Sequence, residues 1–141
     1  MTPPALASGT TATGTAEAEF QQIRTLLDNR DYAAADSSLR AFIAAHPAHP
    51  LASSAFFWLG EIYYDRADYQ RAAETYAAGY ANYPTGYKAA DTLLKLGMTL
   101  RRLGQNQEAC ATFGELDRRF PDANPRLRER AGQERQAAGC T

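Results

Sequence analysis

The chain has 141 residues, 45% of them hydrophobic and 22% charged, with a net charge of -1. That length and composition fit one soluble globular domain with its own core. So even a charge balance gives no field for nucleic acid or anionic lipid, and no apolar run approaches the roughly 20 residues that span a bilayer.

The opening segment, residues 1–15, is small, polar and uncharged. It buries too little apolar surface to offset the entropy of ordering, so it is expected to be a flexible linker. It lacks the basic stretch followed by an apolar stretch of a signal peptide. A linker in first place suggests one domain of a longer protein, with any targeting sequence outside this chain.

From residue 16 a period of 37 residues takes over: Pro47, Pro84 and Pro121 share it, as do Ala35, Ala72 and Ala109. Leu39, Tyr76 and Phe113 keep the same step, and so do Phe20, Phe57 and Leu94, and Leu26, Tyr63 and Leu100. This many apolar matches in one register define repeated units at about 16–50, 51–87 and 88–123. In the first unit a helix through Phe20 and Leu26 leads, by the polar turn Asp28–Asp31, to a second helix through Tyr32, Ala35, Leu39 and Phe42. In the second, Phe56, Leu59, Tyr63 and Tyr64 carry the i, i+3, i+7, i+8 spacing of an amphipathic helix. The turn Asp65–Asp68 then precedes a helix through Tyr69, Ala72, Tyr76 and Tyr80. The third repeats the plan with Leu93, Leu96 and Leu100, the turn Leu103–Asn106, and Ala109, Phe113 and Leu116. Asp and Asn in the turns are suited to N-capping, and a proline closes each unit. Ala35, Ala72 and Ala109 fall where the paired helices should cross most closely, and Gly60 and Gly97 should admit a helix against bare backbone. The arginine-rich stretch from Arg118 to Arg135 reads as the solvated face of a final capping helix at about 124–138, a polar end that stacked repeats need for solubility. The expected fold is all-α: a right-handed superhelix of three helix-turn-helix repeats plus the cap.

Trp58-Leu-Gly60, with Tyr63, Ala72, Tyr76 and Pro84 after it, resembles the tetratricopeptide signature, the tryptophan standing one place off its usual position. The usual unit of that class is about 34 residues, so three extra residues fall between units, at Ala48–Leu51 and Thr85–Lys88. More narrowly, the stretch from His46 to Pro121, with Lys88-Ala-Ala-Asp91 and Lys95-Leu-Gly97, is similar to the C-terminal repeat domain of the periplasmic Tol-Pal system proteins, the cell division coordinators. The similarity covers about residues 16–138. It implies a periplasmic protein-binding module that coordinates outer-membrane constriction with peptidoglycan synthesis during division. TolA is the implied partner, with a bifunctional peptidoglycan synthase as a second; no cofactor and no catalysis are implied. That family places a trimerising coiled coil before the repeats, and without it this fragment is expected to be monomeric. The first unit departs from the pattern, with Gln22-Ile23 where Leu-Gly stands in the second.

Solenoids bind through the wall formed by the first helix of each pair. By resemblance to the repeat class, the groove stripe is Phe20, Arg24 and Leu27, then Phe57, Glu61 and Tyr64, then Leu94, Met98 and Arg101. Aromatic and arginine side chains are the usual anchors for a protein partner, and a methionine suits an adaptable surface. Phe57 is as well read as core; Tyr64 and Arg101 are expected to be exposed. An outer-membrane assembly lipoprotein with similar repeats is the rival reading, but no lipidation cysteine stands near Met1. A cytosolic adaptor that clamps a carboxylate needs Lys, Asn and Arg where Phe20, Phe57 and Leu94 stand.

His46 and His49 have no acid or cysteine beside them in the chain to complete a metal site and read as surface loop residues. No phosphate loop and no activated nucleophile is present. Cys110 opens the second helix of the third unit and Cys140 follows the final helix; the two helices should run antiparallel, so in an oxidising compartment a disulfide is expected over two free thiols.

Overall fold

The computed structural model describes residues 12–141, with side chains described from Ala16 onward. Seven helices follow one another: α1 (Ala12–Asp28), α2 (Tyr32–Ala45), α3 (Ala52–Asp65), α4 (Tyr69–Asn82), α5 (Ala89–Arg102), α6 (Asn106–Arg119) and α7 (Pro125–Ala138). No strand occurs among the described residues. They form three hairpins, each packed on the next, with α7 lying against α5 and α6. Helix α1 begins at Ala12, so the last four residues of the expected linker are helical; residues 1–11 lie outside the described part.

Each hairpin turns through one left-handed residue, at the same place in the period: Arg30 (φ 60°), Ala67 (φ 60°) and Gly104 (φ 79°). The next residue caps the second helix. Asp31 accepts from the backbone N–H of Ala34 at 3.4 Å, and Asp68 from that of Arg71 at 3.3 Å, satisfying N–H groups that the helix itself leaves unpaired. In the third turn Gln105 holds the cap position without a side-chain bond, and Asn106 is already helical.

Packing within the hairpins follows the small residues. Ala35, Ala72 and Ala109 are fully buried. Gly60 lies against the ring of Tyr76, and Gly97 against that of Phe113. The first hairpin reverses this division of volume, with Ile23 where the others have glycine and Leu39 where they have an aromatic ring, all of it buried. Interiors hold nearly constant volume, so the missing glycine in the first unit is offset by a smaller partner.

The joints between hairpins share a register and differ in chemistry. At the first, the buried carboxylate of Asp36 accepts from Arg40 at 2.7 Å and from the Tyr63 hydroxyl at 3.4 Å, with Arg66 3.6 Å away. Thirty-seven residues on, buried Ala73 occupies the same position. At the third place stands Cys110, bridged to Cys140 with their α-carbons 5.5 Å apart. The backbone explains how Cys140 gets there. Gly139 takes φ 75°, and the N–H of Cys140 bonds back to the carbonyl of Arg135 at 3.0 Å, a left-handed cap that folds the chain over the end of α7. At its other end α7 starts from Asn124, whose side chain accepts from the Arg126 N–H at 2.8 Å, with Pro125 in the first turn.

Candidate binding surface

The expected groove stripe divides into two sets. Phe20, Phe57, Leu94 and Met98 are buried, each less than 10% exposed. Phe20 and Phe57 belong to the core of the first two hairpins, Leu94 and Met98 to the core under α7. Phe20, Leu94 and Met98 are corrected from surface anchors to core, and of the two readings of Phe57 the core one holds. The three extra residues per unit do not open the stack, and α7 covers the face of the third unit that the stripe would have used. Arg101, expected to be exposed, is held by that cap: its Nε donates to the buried carboxylate of Glu134 at 3.2 Å, which also accepts from Arg130 at 2.9 Å. Tyr64 is half-buried between the two cores, with its ring beneath the ammonium of Lys95 at 4.0 Å.

What remains of the stripe borders a cleft. Arg24, Leu27 and Glu61 line a hollow of about 250 Å³ between α1 and α3, together with Asp28, Tyr32, Trp58, Ile62 and Asp65. Glu61 is fixed in place, accepting from the Tyr76 hydroxyl and lying 3.4 Å from Lys95 Nζ. Burial, and then the charge of Glu61, push the Tyr76 hydroxyl far above its ordinary range, so it stays protonated and keeps its proton to donate to Glu61. Trp58 stands edge-on to Phe57 at 5.1 Å, and Lys88 lies over both rings at 5.5 and 5.0 Å. Lys88 also borders a second, wider hollow of about 860 Å³ beside α7, with Leu94, Arg126, Leu127 and the highly exposed Tyr87. Lys88 thus lies against Trp58 of the first hollow and borders the second. This wall can hold an extended or helical protein segment: apolar and aromatic surface for side chains, set among fixed charges of both signs.

Asp28, Tyr32, Trp58, Ile62 and Asp65 are the wall residues that the stripe left out. Trp58 stands off the tryptophan position of the signature, and its ring lines the cleft.

His46 and His49 are less exposed than surface loop residues. Their rings lie against Phe42, that of His46 tilted at 4.8 Å and that of His49 edge-on at 6.1 Å, and each meets an acid of α1: His46 Nε2 lies 3.0 Å from Glu19, and His49 Nε2 3.3 Å from Glu17. The Leu51 N–H donates to His49 Nδ1 at 3.0 Å, which leaves the proton of a neutral ring on Nε2, facing Glu17. The acids that the local sequence lacks come from 27 and 32 residues upstream. Among the described residues no group of three or more such side chains is placed to hold a metal ion.

Comparison with known proteins agrees with the repeat architecture. Two tetratricopeptide repeat models match, over residues 20–87 and 91–123. A tetratricopeptide repeat protein from Parabacteroides merdae superposes with a TM-score of 0.73 at 20% identity, over 89% of this chain and 46% of that one. A putative kinesin light chain from Podosopora anserina, described as carrying nearly identical TPR-like repeats, superposes at 0.67 with 17% identity, over 87% of this chain and 64% of that one. A single-substitution form of the same light chain superposes at 0.69, also with 17% identity and the same coverage. The chain thus spans less than two thirds of the length of each of these structures. No curated protein is significantly similar in sequence. Hairpin register, all-helical superhelix and repeat models agree: the described chain is a tetratricopeptide-repeat domain, a protein-interaction module.

Proposed function

We propose that this domain works in the periplasm as the protein-binding module of a Tol-Pal-type envelope system, holding TolA, and in turn a peptidoglycan synthase, during cell division. The observation that carries the binding role is the cleft between α1 and α3, where Trp58, Tyr32 and Leu27 stand among charged side chains. The Tol-Pal reading is supported by the Lys88-Ala-Ala-Asp91 and Lys95-Leu-Gly97 sequences. The periplasmic reading is supported by the Cys110–Cys140 bridge, since such bridges persist in oxidising compartments.

Calorimetric titration of the domain with the periplasmic part of TolA tests the proposal. Binding is expected, and Trp58→Ala should weaken it about tenfold or more, in line with the roughly 1–3 kcal/mol lost when an aromatic anchor is truncated. Absence of binding by the wild-type domain removes TolA as the partner. Equal binding by Trp58→Ala removes the cleft as the site.

A further inference from the structure

Asp28 and Asp65 stand where a helix least favours them. Each is the last residue of its helix, α1 and α3, and neither helix has a basic residue in its last turn. The C-terminal carbonyls of a helix carry about half a negative charge, which favours cations there and opposes carboxylates. The third unit shows the ordinary solution, with Arg102 at the equivalent position beside Arg101. Among the described helices, a carboxylate as the last residue occurs only in the two that flank the cleft, and both aspartates line it. Neither forms an ion pair among the described residues, whereas Glu61 deeper in the wall already has Lys95. Tyr32 and Trp58 add aromatic rings to the same hollow, and such rings attract a cation held over their faces.

Building on the reading of this cleft as a docking groove, we propose that it receives a cationic side chain, lysine or arginine, from a protein segment seated on Trp58. The lining carries three carboxylates, Asp28, Glu61 and Asp65, against the one guanidinium of Arg24, so charge complementarity selects a cationic occupant. Two carboxylates at helix C-termini, with aromatic rings beside them, attract a partner's ammonium or guanidinium and repel its acids. A salt bridge to Asp28 or Asp65 also removes the repulsion between each carboxylate and its own helix end.

Trp58 is the one tryptophan of the chain, so its fluorescence reports directly on the cleft. A phage-displayed library of random dodecapeptides is selected on the domain, and the enriched peptide is synthesised and titrated by Trp58 emission and by calorimetry. The expected result is a fixed Lys or Arg in the enriched sequences. Replacing that residue with norleucine should weaken binding about tenfold or more, the scale of a lost hydrogen bond to a charged group. The double variant Asp28→Asn, Asp65→Asn should lose as much, and norleucine should cost little more on that background. Enriched peptides with no basic position, or undiminished binding by the double variant while Trp58→Ala fails to bind, overturn the cation site and leave the groove standing. A library that yields no binder, or binders indifferent to Trp58→Ala, overturns the groove reading itself.

Discussion

A β-carbon on Gly60 would stand inside the aromatic face of Tyr76, 2.9 Å from Cζ, so the two residues divide one fixed volume between them. Gly97 and Phe113 divide it the same way, while Ile23 and Leu39 divide it in reverse. Gly60→Ala should therefore destabilise the domain by about 1–3 kcal/mol, the usual cost of overpacking. Adding Tyr76→Leu should recover part of that loss, and the pair Gly60→Ile with Tyr76→Leu copies the first hairpin. Urea midpoints of the single and double variants measure the coupling. Strictly additive effects would show that the two positions do not share space.

The left-handed turn residues offer a second comparison. Arg30 and Ala67 hold φ 60° with a β-carbon, where Gly104 holds φ 79° without one. Ala67→Gly should gain about 0.5 kcal/mol, the relief of the left-handed conformation exceeding the extra entropy lost by glycine, and Gly104→Ala should lose about 1 kcal/mol. Thermal denaturation of both variants checks the signs. A loss of stability in Ala67→Gly would mean that chain entropy outweighs strain at this turn.

Most of this architecture is legible in the chain, because periodicity records burial. Ala35, Leu39 and Phe42 are buried as their spacing requires, and so are their counterparts Ala72 and Tyr76. What periodicity does not record is which of two apolar-tolerant faces meets solvent. Phe57 and Trp58 are neighbours on α3, and a turn of about 100° per residue separates core from cleft; the class pattern assigned Phe57 to the groove, and the packing put Trp58 there. Contacts distant in sequence were equally hidden. Nothing near His46 announces Glu19, and nothing near Arg101 announces Glu134, because both acids arrive only when separate helices dock. The cysteine pair was the exception, since antiparallel helices bring the Cys110 end toward the Cys140 end, and the left-handed turn at Gly139 completes the approach.

The joint between the first two hairpins is polar where the next joint is apolar. Asp36, with only 12% of its side chain exposed, gathers Arg40, Arg66 and the Tyr63 hydroxyl. Asp36→Ala leaves the Tyr63 hydroxyl without its acceptor, while Arg40 still donates to Tyr63 and both guanidinium groups reach water, so it should cost about 1–2 kcal/mol. The second joint has Ala73 and Leu100 at the corresponding positions. Asp36→Ala combined with Tyr63→Leu should therefore cost less than the sum of the two single changes, as apolar replacement of buried ion pairs often does. Chemical denaturation of the three variants gives the coupling, and a sum equal to the parts would mean that Asp36 and Tyr63 act independently.

The capping helix depends on its bridge more than on its own packing. Helix α7 buries only Ala131, Glu134 and Ala138, yet Ala131 sits on the core that contains Leu93, Leu94 and Met98. The Cys110–Cys140 bond spans 30 residues, a loop whose closure in the unfolded chain is worth about 3–4 kcal/mol in the chain-entropy model. Cys140→Ser, or reduction of the wild type, should therefore lower stability by about that amount. The loss should also be local. Amide hydrogen exchange in α7 should accelerate about a hundredfold or more on reduction, while α3 and α4, tied by the first core, keep most of their protection. Freed from α7, Arg101 loses the carboxylate of Glu134, and Leu94 and Met98 become accessible to an apolar dye. If α7 exchanges at the same slow rate with and without reductant, packing and the Arg101–Glu134 pair hold the cap, and the disulfide only seals a joint already closed.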